Sequence, residues 1–303
     1  MRELRGKTVF LTGAASGIGR ELALQLADAG CNLILVDCNQ TGLDDVARLT
    51  AACGVKVHSY RCDLMDRTAV ERTVNSAVRD AEPIDVLINN AGVAWYGSTH
   101  EMTQEQWDRL MSINLQAPIQ VTRLLLPGLL QRPDAHIVNM CSIAGLVAGG
   151  RFTAYHTTKF GLVGFTEAIR SEYARAGIGV TAVCSGPVRT QLYQSAGGAT
   201  GGSQIPQPPA IVCASAQRVA KLTITAIQRN RRMVLVTPLA HGLFQIKRFL
   251  PGLLDAVSGF SRSKRRRRQE RLFREQQRLA NLHDSSDSDV RADSENRNPV
   301  PLN

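Results

Sequence analysis

Short apolar runs alternate with longer stretches of helical periodicity through the first 190 residues of the chain. The apolar runs predict strands at residues 8–11, 32–36, 55–60, 86–88, 136–140 and 179–184. The amphipathic stretches between them predict helices at residues 20–29, 66–81, 104–130 and 153–176, of which the third reads as two short helices or one bent pair. Continuously apolar strands are typical of a parallel sheet that is buried on both faces. The pattern therefore predicts a doubly wound α/β fold with helices on both faces of a mostly parallel sheet.

The rest of the chain changes character twice. A helix at residues 216–229 and a strand at 233–236 are predicted to add a seventh strand to the sheet. Apolar residues then recur every three or four positions over 239–259, and Pro251 with Gly252 predicts a break between two short amphipathic helices. Residues 260–303 are first basic and then acidic, which is typical of a disordered tail. We predict one folded domain over residues 1–259, including a loop over about 191–214, and a tail beyond it.

Composition narrows the class of protein. The chain has 303 residues, 44% of them hydrophobic, and a net charge of +10. The charge is concentrated at residues 229–278, where 14 Lys or Arg face three Asp or Glu. The sequence contains no apolar run of about 18 residues and no leader pattern, so we expect a cytoplasmic protein. Its seven cysteines are scattered without a CxxC pair, so we predict neither a disulfide framework nor a metal site.

A glycine-rich turn follows the first strand. It reads Thr12-Gly-Ala-Ala-Ser-Gly-Ile-Gly19 and leads into a helix. Glycine lets the backbone approach a ligand closely, and a helix N-terminus suits a pyrophosphate. Asp37, at the end of the second strand, lies where an acid binds the adenosine ribose, and the alternative is that it only caps the next helix. A carboxylate there repels a 2′-phosphate, and no Lys or Arg occupies residues 38–40, so the sequence favours NAD over NADP.

Tyr155 and Lys159 are four residues apart at the start of a predicted long helix, so they share one helix face. A cation held near a phenol favours the phenolate and brings its pKa towards neutrality. Such a tyrosine passes a proton to or from an alcohol oxygen at working pH. Ser142 ends the preceding strand, and its hydroxyl is positioned to bond the same oxygen.

Taken together, these motifs resemble the short-chain dehydrogenase/reductase family over roughly residues 7–238. The resemblance rests on motifs in the right order, namely the TGxxxGxG turn, Asp63-Leu64, Asn89-Asn90-Ala91-Gly92, Asn114, Ser142, and Tyr155 with Lys159. It implies a seven-stranded Rossmann-type sheet. One departure stands after the sixth strand, where Ser185 replaces the usual proline before Gly186.

The resemblance also implies the roles of individual residues. Tyr155 is expected to be the general acid/base, Lys159 to assist it and bind the nicotinamide ribose, and Ser142 to position the substrate oxygen. Asn114 is expected to hold a water that links Lys159 to solvent. The implied cofactor-binding residues are Gly13, Ser16, Gly17, Ile18, Gly19, Asp37, Asp63, Leu64, Asn90, Ala91, Gly92, Tyr155, Lys159, Gly186, Val188 and Thr190.

The substrate side is apolar. Its candidate lining residues are Val93, Ala94, Trp95, Leu146, Val147 and Tyr193, of which Trp95 and Tyr193 join Ser142 and Tyr155 as predicted substrate contacts. We therefore predict an NAD-dependent oxidoreductase that acts on a hydrophobic secondary alcohol or ketone, such as a lipid, steroid, retinoid or aromatic compound. The alternative is an NAD(H)-binding scaffold or sensor that acts through its basic C-terminal segment.

Three interpretations of that basic segment stay open. It packs on the domain or on a second subunit, it attaches to an anionic membrane through residues 239–268, or it binds nucleic acid. The third is disfavoured, because the arginine cluster at residues 262–268 contains no aromatic residue and no base-reading motif is present. A homo-oligomer is expected from the family resemblance alone.

Overall fold

A computed structural model describes residues 1–188, 197–198, 209 and 212–253, with the backbone alone at 197–198. Thr190, Tyr193 and most of the predicted loop over 191–214 lie outside the described residues. So does the whole of the predicted tail.

The core of the molecule is a seven-stranded sheet in which every strand pair is parallel. The strand order is β3-β2-β1-β4-β6-β7-β9, which reverses between β1 and β4. The strands are β1 Thr8–Thr12, β2 Asn32–Asp37, β3 Val57–Arg61, β4 Val86–Asn89, β6 Ala135–Met140, β7 Ile178–Cys184 and β9 Met233–Leu235. Two further short strands, β5 Trp95–Tyr96 and β8 Gly197–Gly198, pair with each other. The predicted seven-stranded parallel sheet is confirmed.

Helices cover both faces of this sheet. The α-helices of the described residues are α1 Gly17–Asp28, α2 Gln40–Ala51, α3 Arg67–Asp80, α4 Gln104–Met111, α5 Ala117–Leu129, α6 Thr153–Tyr173, α7 Ala216–Gln228 and α8 Pro238–Phe249. Leu22 of α1 and Val219 of α7 belong to the core cluster on one face. Val70 of α3 and Val121 of α5 belong to the cluster on the other. Strands such as β1 and β7 are buried at every position, because each face carries its own helical layer.

Two helical details add to the sequence prediction. The helix expected after Asp37 was given no bounds and is α2, which Asn39 caps by accepting a hydrogen bond from the Gly42 backbone N–H. The stretch predicted as two short helices or a bent pair is α4 and α5, joined by a π-helical turn at Ser112–Gln116. A π turn inserts an extra residue into the helix and so re-aims the side chains within it.

The first compact unit of the chain is Met1–Phe244, and a second begins at Gln245. Helix α8 ends at Phe249, just before Pro251, where the sequence predicts a break. Among the described residues, no helix is long and apolar enough to cross a membrane.

Candidate active site

A cavity of about 610 Å³ opens at the carboxyl ends of the parallel strands. Two groups of residues line it. The first, called here the β1–β4 wall, comprises Gly13, Ser16–Ile18, Asp37–Asn39, Cys62–Met65, Asn90–Ala94, Arg109 and Ile113. The second, called here the β6–β7 wall, comprises Met140–Ala144, Phe152, Tyr155, His156, Lys159 and Ser185–Val188. Crevices at this edge of a doubly wound sheet, where the strand order reverses, are where such folds bind ligands.

The glycine turn of the β1–β4 wall has no room for side chains. Gly13 and Gly17 have positive φ angles of 67° and 54°. A Cβ at Gly13 would lie 2.7 Å from the Cα of Ala91, and one at Gly19 would lie 1.9 Å from the Gly13 carbonyl oxygen. Glycine is therefore required by the close approach of the turn to the segment after β4.

Hydrogen bonds hold these two segments together. The Thr12 hydroxyl accepts from the backbone N–H groups of Asn90 at 3.0 Å and Ala91 at 3.2 Å. The Asn90 amide in turn donates to the carbonyls of Thr12 at 3.0 Å and Gly13 at 2.9 Å. Asn90 thus braces the turn, and its neighbours Ala91 and Gly92 line the cavity.

The carboxylate of Asp37 also faces the glycine turn. Its oxygens accept from the backbone N–H groups of Ala15 and Asn39, both at 3.0 Å. The alternative that Asp37 caps the next helix is wrong, because Asn39 fills that position. Asp63 accepts from the Met65 backbone N–H at 2.9 Å, and both residues line the cavity.

Asn114 lies in the π-helical turn and is fully buried. Its side chain accepts from the Val93 N–H at 2.8 Å and donates to the Val93 carbonyl at 2.9 Å. It also donates to the Thr158 hydroxyl at 3.3 Å, which ties it to α6. A Cβ built onto Gly92 would lie 3.3 Å from the side-chain oxygen of Asn114 and 3.6 Å from Lys159 Nζ. Asn114 and Lys159 therefore face a common small space.

Tyr155 and Lys159 lie in the first two turns of α6, as their spacing predicts. Lys159 Nζ is 5.7 Å from the centre of the Tyr155 ring and donates to the Met140 carbonyl at 2.9 Å. The lysine is 4% exposed, and this burial lowers the pKa of its ammonium group. The bond to the last carbonyl of β6 fixes its position beside the phenol.

Ser142 follows β6 and begins a short 3₁₀ turn, where its hydroxyl accepts from the Ala144 N–H at 3.1 Å. Next to it, the Ile143 N–H donates to the carbonyl of Ser185 at 2.8 Å. Ser185, which departs from the family pattern, therefore supports the turn of Ser142 through its backbone. The backbone continues through Gly186, where a Cβ would lie 2.5 Å from the Thr237 hydroxyl. It then reaches Val188, which forms a parallel β-bridge with Ala214.

Not every predicted substrate contact lies in the cavity wall. Val93 and Ala94 line it, whereas Trp95 and Leu146 are buried outside the lining. Trp95 packs with Leu110 and Ala154, because β5 turns its side chain into that cluster.

The structure also adds residues that the sequence did not single out. Phe152, His156 and Arg109 line the cavity. Arg109 lies in α4 and Ile113 in the π-helical turn that follows it. Both reach the cavity because of where α4 lies in the fold. Cys141 lines the cavity too, where a hydrogen bond with Cys184 lowers its pKa and raises that of its partner.

Comparison with known proteins agrees with this geometry. Residues 7–199 match the family model described as short chain dehydrogenase. The chain is 38% identical to oxidoreductase UcpA of Salmonella typhimurium over 199 residues, which are 64% of this chain and 74% of that protein. It is 37% identical to D-beta-hydroxybutyrate dehydrogenase of Cupriavidus necator, over 63% of this chain and 74% of that protein.

Solved structures of similar fold carry nicotinamide cofactors. A short-chain dehydrogenase/reductase from Burkholderia phymatum, in complex with NAD, has a TM-score of 0.75 at 26% identity and covers 84% of this chain and 97% of its own. A short-chain dehydrogenase from Sphingobium yanoikuyae, in complex with NADPH, has a TM-score of 0.69 at 27% identity, over 85% and 94% of the two chains. With the matching family model and the parallel sheet that these structures resemble, the chain belongs to the short-chain dehydrogenase/reductase family of oxidoreductases.

Proposed function

We propose that this chain is an NAD-dependent dehydrogenase or reductase that interconverts a hydrophobic secondary alcohol and its ketone. The observation that carries this proposal is the position of Lys159 Nζ, 5.7 Å from the Tyr155 ring in a cavity that Ser142 also lines. The glycine turn at the other end of the same cavity supports a dinucleotide there, because it leads into the N-terminus of α1, whose backbone N–H groups suit a pyrophosphate.

The residues around the cavity fit such a cofactor. Backbone N–H groups at the start of α1 suit the pyrophosphate, and Asp37 and Asp63 suit the adenosine. Lys159 suits the nicotinamide ribose. A bound nicotinamide supplies or accepts the hydride, and that chemistry belongs to the cofactor. The other proposed cofactor contacts are Gly13, Ser16, Gly17, Ile18, Gly19, Leu64, Asn90, Ala91, Gly92, Tyr155, Gly186 and Val188.

The proton is moved by the chain's own residues. We assign to Tyr155 the transfer of a proton to or from the substrate oxygen. The buried ammonium of Lys159 favours the phenolate form, because it is close and little screened by water. Ser142 holds the same substrate oxygen through its hydroxyl. Asn114 faces the small space beside Gly92 together with Lys159, where a water would relay protons between the lysine and solvent.

The choice of NAD over NADP is proposed from Asp37. Its carboxylate lies at the end of β2 beside the glycine turn and would repel a 2′-phosphate. Titration of the protein with NADH and with NADPH, followed by nicotinamide fluorescence, tests this. We expect NADH to bind at least tenfold more tightly, and equal or tighter NADPH binding would overturn the cofactor assignment.

A hydrophobic substrate is proposed from the apolar positions of the wall. Val93, Ala94, Ile143 and Phe152 line the cavity near Tyr155 and Ser142. Screening apolar alcohols and ketones with the tighter cofactor is the direct test. Turnover of small polar substrates alone would contradict the substrate class, and turnover of none would favour the scaffold or sensor alternative.

We further propose that residues 239–268 contact an anionic membrane. Within the second unit, Phe249, Leu250 and Leu253 are 68%, 60% and 49% exposed, beside the cationic Lys247 and Arg248. The sequence continues into an arginine cluster at 265–268. Exposed apolar side chains next to basic ones suit the surface of an anionic bilayer.

Co-sedimentation with phosphatidylglycerol vesicles tests this attachment. We expect the full chain to bind and a chain ending at residue 259 to bind much less, with neutral vesicles as the control. Equal binding of both chains would exclude the basic cluster as an anchor. The expected cytoplasmic location and homo-oligomer stay predictions.

A further inference from the structure

His156 joins two elements of the β6–β7 wall. It follows Tyr155 on α6 and lines the cavity. Its Nδ1 lies 2.8 Å from the carbonyl oxygen of Ala144, and its Nε2 lies 2.9 Å from the backbone nitrogen of Gly149. The imidazole therefore spans the segment 144–149, which connects the turn of Ser142 to the start of α6.

These two partners determine the form of the ring. A backbone N–H can only donate, so Nε2 accepts from Gly149 and carries no proton. A carbonyl can only accept, so Nδ1 carries the proton and donates to Ala144. His156 is thus the neutral Nδ1–H tautomer, and both of its nitrogens are engaged by the backbone. Neither nitrogen is left to exchange a proton with a substrate, which argues against a role as acid or base.

The segment is held unevenly along its length, because Leu146 packs in an apolar cluster whereas Gly149 is exposed. Its first half is closed by local bonds, in which Leu146 and Val147 donate to the Ile143 carbonyl at 2.9 and 2.8 Å. It ends at Gly149, which Gly150 follows, and a glycine pair leaves the backbone with wide conformational freedom. A bond from the Gly149 N–H to a helix side chain removes much of that freedom.

The helix side of this connection is itself well supported. The His156 N–H donates to the Phe152 carbonyl at 2.8 Å in the first turn of α6. The Phe152 ring packs edge-on to the imidazole, with centroids 6.3 Å apart, and lies 6.2 Å from the Tyr155 ring. The ring that holds the segment is therefore fixed to the same turn that carries Tyr155.

We propose that His156 is a positioning residue whose neutral imidazole holds segment 144–149 in place, and with it Ala144, which lines the cavity beside Ser142 and Tyr155. This inference rests on the proposed function, because it assigns that part of the cavity to the substrate. Loss of the bonds would loosen the segment and weaken substrate binding. It would leave the β1–β4 wall and the cofactor contacts Lys159, Gly186 and Val188 in place, so dinucleotide binding should be unchanged.

A graded set of variants tests the proposal. His156→Leu removes both bonds. In His156→Asn the side-chain amide reaches the position of Nδ1 and can keep the bond to Ala144, whereas in His156→Gln it reaches that of Nε2 and can keep the bond to Gly149. Thr157→Ala, at the exposed neighbouring position of α6, is the matched control. The measurements are hydrogen–deuterium exchange of the peptide 144–152, NADH affinity, and KM and kcat for the best substrate.

For His156→Leu we expect about tenfold faster exchange in that peptide and about tenfold higher KM. NADH affinity should stay within twofold and kcat within threefold of wild type. The Gln and Asn variants should fall between His156→Leu and wild type, and Thr157→Ala should match wild type. If His156→Leu does not fold, the Gln and Asn variants carry the test.

Unchanged exchange and KM in folded variants would overturn the proposal. A KM rise without faster exchange would also overturn it, because the effect would then not come from the segment. The exchange measurement needs no turnover. If the wild type turns over no alcohol or ketone, the proposed function fails, whereas the contact of His156 with the segment is still decided by exchange.

Discussion

The two walls of the cavity are built by different means. The β1–β4 wall is held by backbone geometry, with glycines packed against backbone at Gly13 and Gly19 and main-chain N–H groups bonded to Thr12 and Asp37. The β6–β7 wall depends on side chains that reach across elements, such as Lys159 to the Met140 carbonyl and His156 to Gly149. Most of the proposed cofactor contacts lie in the β1–β4 wall, whereas Ser142 and Tyr155, which are proposed to hold the substrate oxygen, lie in the β6–β7 wall. We therefore expect that mutations can disrupt cofactor binding and proton transfer separately.

Tyr155→Phe is expected to have the largest effect. It removes the hydroxyl assigned to proton transfer, so kcat/KM should fall by about 10³-fold or more while NADH affinity is retained. Steady-state kinetics and fluorescence titration measure the two quantities. Tyr173→Phe, at the far end of α6, is the control. Retained turnover would refute the enzymatic assignment of Tyr155, and retained biological activity without turnover would favour the scaffold alternative.

Gly19→Ala is expected to disturb the β1–β4 wall instead. Its Cβ would fall 1.9 Å from the Gly13 carbonyl oxygen, so the turn must move, and NADH affinity should fall by about 100-fold. Gly164→Ala in α6 is the matched change, because its Cβ meets nothing within 4 Å. That variant should gain about 0.5–1 kcal/mol of stability and keep its affinity. Similar NADH affinities for the two variants would contradict the backbone-built wall.

Lowering the pH should reduce the stability of the fold through His136, which lies in β6. Burial, with lesser contributions from the N-terminal charge and Arg170, lowers the pKa of His136 to about 3. The unfolded chain has an ordinary value of about 6.5, so it binds the proton first as the pH falls. The stability from neutral His136 is therefore present above about pH 6.5 and is lost progressively down to about pH 3.

This loss has a measurable size. Between pH 7 and pH 5 the free energy of unfolding, measured by urea denaturation, should fall by about 2 kcal/mol. His136→Gln should lower stability at pH 7, because it disturbs the 2.9 Å bond to Thr181, but should flatten the acid dependence. An equally steep dependence in that variant would assign the acid sensitivity to other groups.

Asp37→Ser should have the smallest effect. It removes the carboxylate at the end of β2 and with it the repulsion of a 2′-phosphate, so the preference for NADH should shrink by about tenfold. Fluorescence titration with both cofactors measures the change. Asp66→Ser, which affects only the cap of α3, is the control. An unchanged preference would mean that another part of the β1–β4 wall selects the cofactor.

Much of the fold was predictable because its signals are local. Six of the seven sheet strands read as apolar runs among the first 190 residues, and Tyr155 and Lys159 needed only the repeat of a helix to share a face. The prediction gave no bounds to the helix after Asp37, whose buried face is narrow and consists of Leu43, Val46 and Thr50. It also left the π turn around Asn114 undetermined, because an inserted residue in a helix has no clear pattern in a single sequence.

The strand–helix order, the glycine turn and the spacing of the candidate catalytic residues could be read from the chain alone, since these depend on neighbours within a few positions. The fold was needed to show that Trp95 turns away from the cavity, that Arg109 reaches it, and that His156 contacts Ala144 and Gly149. Those outcomes depend on how distant elements cross. The direction of a side chain relative to another element is set by packing, and packing couples residues that are far apart in the chain.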